Sequence, residues 1–196
     1  MPETTDAAIR TETVHDHLRR AREHAARGLL DRAERRVQQA LALVGTTGDR
    51  RMVAACLGEQ GLIDLVRGRL GEAEARLRAA EALGQASGRR DPRVSGALGE
   101  VVALTGRLDE GRARLMTALS ELGPRGDPVD QIVLICRLGK LEARAGDTAM
   151  ATAALIDARC IQAATSTRSL VVTRAMAELV GALEEGADDV VLEASA

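Results

Sequence analysis

Residues Thr105 to Leu122 read "TGRLDEGRARLMTALSEL", and three other stretches repeat that wording. They are "RGLLDRAERRVQQALAL" from Arg27, "RGRLGEAEARLRAAEAL" from Arg67 and "AGDTAMATAALIDARCI" from Ala145. Aligned on their glycines, the copies start at Gly28, Gly68, Gly106 and Gly146, with Gly186 as a further candidate, at intervals of 40, 38, 40 and 40 residues. A fixed spacing of this size marks a structural repeat. Five residues past each glycine stands a small residue: Ala33, Ala73, Gly111, Ala151. Nine past stands a branched aliphatic, Val37, Leu77, Leu115 or Leu155, and twelve past stands alanine each time: Ala40, Ala80, Ala118, Ala158. Steps of four and then three keep these positions on one helical face. Small, large and small along that face let a neighbouring helix pack close at its ends and interlock in the middle.

The glycine predicts a chain reversal, because it takes the left-handed conformation that ends a helix at little cost. Leu30, Leu70 and Leu108 are expected to tuck that turn into the core, with Thr148 as the exception. Upstream, Leu98-Gly99 and Leu138-Gly139 stand seven residues ahead of the turn glycine. A glycine inside a helix costs about 1 kcal/mol relative to alanine, so these positions predict close helix crossings. Asp91-Pro92 and Asp127-Pro128 pair an N-cap acceptor with a proline at the first helical position and predict helix starts. In the second copy Leu57-Gly58 stands ten residues before Gly68, with Gly61 at the expected place, which predicts an extra turn or an irregular helix. The expected organisation is a flexible segment over 1–12, hairpins over about 13–45, 50–88, 92–123 and 128–164, and a helix over 168–185. Residues 187–196 form a cap or tail.

The chain resembles the tetratricopeptide repeat proteins, whose unit carries Leu-Gly in its first helix, Gly at the turn and Ala-x3-large-x2-Ala in its second. The resemblance spans residues 14 to 186. It departs from the family where Val37, Leu77, Leu115 and Leu155 stand in place of the common Phe, and in a period nearer 40 than 34 residues. Such long periods are similar to those of tetratricopeptide-like regions in bacterial regulators and motor light chains. The resemblance implies an all-α, right-handed superhelical solenoid of antiparallel hairpins whose concave groove, lined by first helices, binds a partner peptide or helix. Its register puts His15, Leu18, Arg22, Ala55, Leu62, Arg93, Gly96, Glu100, Val133, Cys136, Lys140 and Arg144 near that face. Arg22, Arg93, Lys140 and Arg144 against Glu100 make it slightly basic, suited to an acidic partner. The family's terminal-carboxylate clamp uses Lys and Asn, and this chain has no Asn.

Composition agrees with a helical chain. Hydrophobic residues make up 45% but none is aromatic, so the core is built from Leu, Val, Ile, Met and Ala. A formal charge of −2 and the lack of aromatic platforms argue against nucleic-acid binding. No leader or spanning segment is expected, and the chain reads as cytoplasmic. Cys56, Cys136 and Cys160 read as reduced, buried thiols. No catalytic motif or cofactor fingerprint occurs, so the expected function is a non-catalytic protein-binding scaffold. Two alternatives stand beside it. One is the regulatory or sensor module of a bacterial signalling or transcription system. The other is a metal-binding protein using His15, His17 and His24, of which His17 and His24 share a helix face. The arginine-rich stretch Arg19–Arg36 is a further candidate contact for phosphate or an acidic protein. The apolar Ser169–Gly186 helix suggests a homodimer through the C-terminal end.

Overall fold

In the computed structural model the backbone is described over residues 2–45 and 49–193, and side chains over 11–45 and 49–185. The described residues form nine helices and no strand. They are α1 (Pro2–Ala26), α2 (Leu30–Val44), α3 (Arg50–Val66), α4 (Leu70–Ala86), α5 (Pro92–Leu104), α6 (Leu108–Leu122), α7 (Pro128–Arg144), α8 (Thr148–Thr165) and α9 (Leu170–Glu193). The chain divides into two compact units, residues 1–98 and 99–196, with the boundary inside α5.

Every reversal within a hairpin is built the same way. Gly28, Gly68, Gly106 and Gly146 have φ of 74°, 72°, 90° and 82°. The residue after each glycine donates its amide back five positions: Leu29 to His24 (2.9 Å), Arg69 to Asp64 (2.9 Å), Arg107 to Val102 (3.1 Å) and Asp147 to Glu142 (2.9 Å). This is the Schellman arrangement, which satisfies carbonyls that the helix end would otherwise leave open. Helix starts follow from side-chain acceptors. Asp49 caps α3 through the amides of Arg51 (2.8 Å) and Met52 (3.4 Å), Asp91 accepts from Arg93 N (2.9 Å), and Asp127 from Val129 N (2.8 Å).

In unit 1, α1 packs on α2 and α3, and α3 on α4. The core joins Val14, Leu18 and Ala21 of α1 to Ala33, Val37, Ala40 and Val44 of α2, and to Cys56 and Ile63 of α3. Ala73, Leu77 and Ala80 of α4 are buried as well. In unit 2, Leu115 and Ala118 of α6 meet Leu134 and Leu141 of α7. A second cluster gathers Ile132, Cys136 and Ala143 of α7, Ala151 and Ala158 of α8, and Val172 and Leu179 of α9, with Leu155 packed against it. Helices α5 and α6 approach closely. A Cβ on Gly111 would lie 2.6 Å from the Gly99 carbonyl oxygen and 2.9 Å from the Ala103 nitrogen, so here backbone meets backbone.

Several details differ from the sequence reading. Helix α3 is regular, without an extra turn, because its two glycines serve two neighbours. A Cβ at Gly61 would be 2.6 Å from Leu77 Cγ of α4, and one at Gly58 would be 2.8 Å from Val94 Cγ2 of α5. Leu108 is 37% exposed, and Leu30 and Leu70 are only half-buried, because the Schellman hydrogen bonds already close the turn. Helix α1 starts at Pro2, so helix covers most of the expected flexible segment 1–12. Helix α9 runs unbroken through Gly186 to Glu193, so the backbone does not turn back into a cap there. A single glycine costs a helix only about 1 kcal/mol and does not by itself end it. Residues 194–196 of the expected tail lie outside the described residues.

Candidate functional site: a charged ladder on the first helices

The first helices of the hairpins are α1, α3, α5 and α7, and α9 continues their series. In unit 1, Glu59 of α3 is buried at 6% exposure and receives two cations. Arg22 Nε of α1 donates to its Oε1 at 2.6 Å, and Arg93 Nη2 of α5 to the same oxygen at 3.2 Å. A carboxylate so poorly solvated is tolerated only when paired. In unit 2 the order of charge inverts. Glu100 of α5, 8% exposed, is met by Arg137 Nε at 2.9 Å and Lys140 Nζ at 2.6 Å, both from α7. Lys140 also donates to Glu178 of α9 at 2.8 Å, and Arg174 Nε completes the row at 2.8 Å from Glu178.

These contacts shift proton affinities in opposite senses. Burial alone pulls the Lys140 ammonium down, yet Glu100 and Glu178 outweigh it and hold the group above its ordinary 10.5. Burial likewise pulls the Glu178 carboxyl up, and Lys140 with Arg174 overrides it, leaving the group below its ordinary 4.5. Both shifts keep the charged forms in place at neutral pH.

Four of the five residues expected on the groove are paired internally, two within each unit. Arg22 and Arg93 meet at Glu59, and Glu100 meets Lys140. Arg144 is exposed at the end of α7 and has no partner among the described residues. Arg22 uses only Nε in its ion pair, leaving its terminal nitrogens open. Of the other expected groove positions, His15 is exposed and Ala55, Leu62 and Val133 are half-buried. Leu18, Gly96 and Cys136 are buried, because that column packs into the protein instead of lining a surface.

Sequence reasoning missed Glu59, Arg137 and Glu178. A signal for two of them was present. Arg22 and Glu100 lie six residues before their turn glycines, Glu59 and Arg137 nine before theirs, and each pair joins opposite charges in consecutive hairpins. The reading also missed a second set of ion pairs at the hairpin ends. Asp64, fully buried, is paired with Arg69 (2.6 Å) and Arg76. Glu142, 6% exposed, takes both Nε and Nη2 of Arg112 of α6 at 2.7 Å each. Asp64 and Glu142 both stand four residues before a turn glycine, at the carbonyl the turn uses.

The remaining candidates stay dispersed. His15, His17 and His24 lie along α1, and no three His, Cys, Asp or Glu gather to hold a metal ion among the described residues. Cys56 and Cys136 are buried, and burial pushes their thiols up to about 12. Cys160, expected to be buried, is exposed on the outer side of α8. No helix among the described residues is long and apolar enough to cross a membrane.

No protein-family model and no curated protein sequence matches the chain. Solved structures do. The chain is similar to BtubC (BKLC) from P. vanneervenii, with 22% identity and a TM-score of 0.56, covering 80% of this chain. It spans 65% of that protein's length, just under two thirds. It is also similar to two crystal structures of a kinesin light chain-like protein from Podosopora anserina with nearly identical TPR-like repeats. One gives 16% identity, a TM-score of 0.56 and coverage of 90% of this chain and 96% of the other. The second gives 19% identity, 0.52, and 81% and 82%. With four identically built hairpins and these neighbours, the chain has the all-α helical-repeat fold of the tetratricopeptide type.

Proposed function

We propose that the chain is a non-catalytic interaction module whose first helices receive a peptide or helix of a partner protein. The observation that carries this reading is the ion-pair ladder. Its buried carboxylates fix the cations of the first helices, while Arg22 keeps unused donors and Arg144 is wholly open. Arg22, held by Glu59, is a pre-oriented donor that lowers the ordering cost of binding, and together with the open Arg144 it favours an acidic segment. The test is affinity capture from native lysate with the wild-type chain, Arg22→Ala, Arg144→Glu and, on an exposed site of α8, Arg159→Glu. The prey should be lost or depleted with the first two variants and kept with the third. Retention by all of them refutes binding at the first helices. Arg93 and Lys140 are unsuitable for charge reversal, because it would strand Glu59 or Glu100 beside a like charge.

We also infer self-association through α9. Val172 and Leu179 bury one side of that helix against unit 2, while Leu170 at its start is 55% exposed. Size-exclusion chromatography with light scattering should show a dimer that Leu170→Glu weakens, and a monomer at high micromolar concentration would overturn this.

A further inference from the structure

Beside the first chain reversal, within unit 1, lies a cleft of about 430 Å³ lined by Leu29, Leu30, Asp31, Arg32, Arg35 and Arg67. Its apolar floor is Leu29, 39% exposed, with Leu30 half-buried next to it. Arg67 is already committed, to Asp31 at 2.5 Å and Glu34 at 3.0 Å. Arg32 and Arg35 are exposed one helical turn apart and have no partner among the described residues. With Asp31 answered by Arg67, those two guanidiniums set the sign of the cleft.

The fold does not need them. Four and seven residues past the other turn glycines stand Glu72 and Ala75, Glu110 and Ala113, and Met150 and Ala153, all exposed. The equivalent positions therefore carry no common packing or pairing role, and only the first hairpin places two cations there beside an exposed leucine. Guanidiniums at that spacing can each grip a carboxylate through charge-assisted hydrogen bonds. A sugar-phosphate chain would leave the leucine floor uncovered, whereas a peptide can set an apolar side chain on it.

We propose that this cleft docks an acidic peptide segment of a partner protein, with carboxylates on Arg32 and Arg35 and an apolar side chain between them over Leu29 and Leu30. The site is separate from the first-helix ladder and stands or falls independently of it. Exposed ion pairs are individually weak and screened by salt, so binding needs both arginines and the apolar contact together.

The test uses the full chain and a fluorescein-labelled peptide with a Glu-Glu-Leu-Asp-Glu core in Gly/Ser flanks, followed by anisotropy at low and high salt. Binding should be saturable and weaken about fivefold or more with Arg32→Glu/Arg35→Glu and with the amide version of the peptide. Replacing the peptide's leucine by serine should cost about threefold or more. Arg144→Glu should leave affinity within about twofold, which separates this site from the ladder. Both variants change exposed residues, and unchanged far-UV circular dichroism verifies their folding. The proposal is overturned if the peptide fails to bind at millimolar chain, if charge reversal or amide replacement has no effect, or if Arg144→Glu abolishes binding instead. Equal competition by a single-stranded RNA of the same charge, with no dependence on the peptide's leucine, overturns it too.

Discussion

Replacing Gly111 with alanine adds one methyl group where α5 and α6 cross, and replacing Gly181 adds the same group to α9 where no atom lies within 4 Å. The two changes share their chemistry and should differ in sign. Inside a helix, alanine is favoured over glycine by roughly 0.5–1 kcal/mol, and at Gly181 that gain is unopposed. At Gly111 the new carbon would sit 2.6 Å from the Gly99 oxygen, 2.7 Å from Ala103 Cβ and 2.9 Å from Ala103 N. Two of those three atoms are backbone and cannot escape by changing rotamer, so the helices must separate by several tenths of an ångström. Gaps of 0.5–1 Å forfeit a quarter to a half of each dispersion contact, and overpacking of this kind costs about 1–3 kcal/mol. Gly111→Ala should therefore lose about 1–2 kcal/mol net, and the two variants should stand about 2–3 kcal/mol apart. At roughly 2–4 °C per kcal/mol for a chain of this length, the melting temperatures should differ by about 4–12 °C. Urea titration followed by far-UV circular dichroism checks the order, with calorimetry for the temperatures. Gly111→Ala matching or exceeding the wild type would mean that α5 and α6 are not in backbone contact, and the repeat geometry argued from that column would fail with it.

The ladder in unit 2 makes its own predictions. Lys140→Met leaves Glu100 buried with Arg137 as its remaining partner and should cost about 2–3 kcal/mol, somewhat below the usual penalty for breaking a buried pair, as read by chemical denaturation. Stability should also depend on pH at both ends. Lys140 is raised, so its contribution is complete below 10.5 and lost as pH climbs through its folded value; Glu178 is lowered, so its contribution is complete above 4.5 and lost as pH falls through its folded value. A denaturation series at several pH values in wild type and Lys140→Met should show both slopes flattened in the variant. Gly106→Ala, at φ 90°, should destabilise by about 1–2 kcal/mol although nothing crowds its Cβ, because the penalty is in the backbone. Finally, Cys160 should react with a disulfide reagent at once, whereas Cys56 and Cys136, held at about 12 by burial, should react only on unfolding.

What could be read from the sequence, and what could not, follows from how many places each property involves. The turn and the second-helix face are local: a glycine and three residues at offsets five, nine and twelve specify a reversal and a packing stripe within one hairpin. Ala33, Ala73, Ala151 and their partners twelve residues past the turn are accordingly buried where that stripe requires. The exposure of Leu108 was not legible, because whether a turn needs an apolar plug depends on hydrogen bonds that its side chains do not reveal. The ladder was harder still. Arg22, Arg93 and Lys140 look like free cations when one unit is read at a time, and only the offset of three positions between consecutive first helices shows that Glu59 and Arg137 stand opposite Arg22 and Glu100.

That offset changes what a charge in this fold means. A cation six or nine residues before a turn glycine is answered by the neighbouring first helix if that helix carries an acid at the complementary position, and it is then part of the packing. Glu142 with Arg112, and Asp64 with Arg69 and Arg76, extend the same rule to the hairpin ends. The residues left over once these pairs are removed are the ones available to another molecule. Arg144, the Arg32/Arg35 pair and the terminal nitrogens of Arg22, which its bond to Glu59 leaves unused, survive that subtraction, whereas Arg93 and Lys140 do not. Reversing Arg144 should therefore change binding with little effect on stability, and Lys140→Met should change stability first. Lys140→Met abolishing partner capture while its unfolding midpoint stayed at the wild-type value would show the ladder to be a contact surface itself, and the division between packing and recognition charges would have to be abandoned.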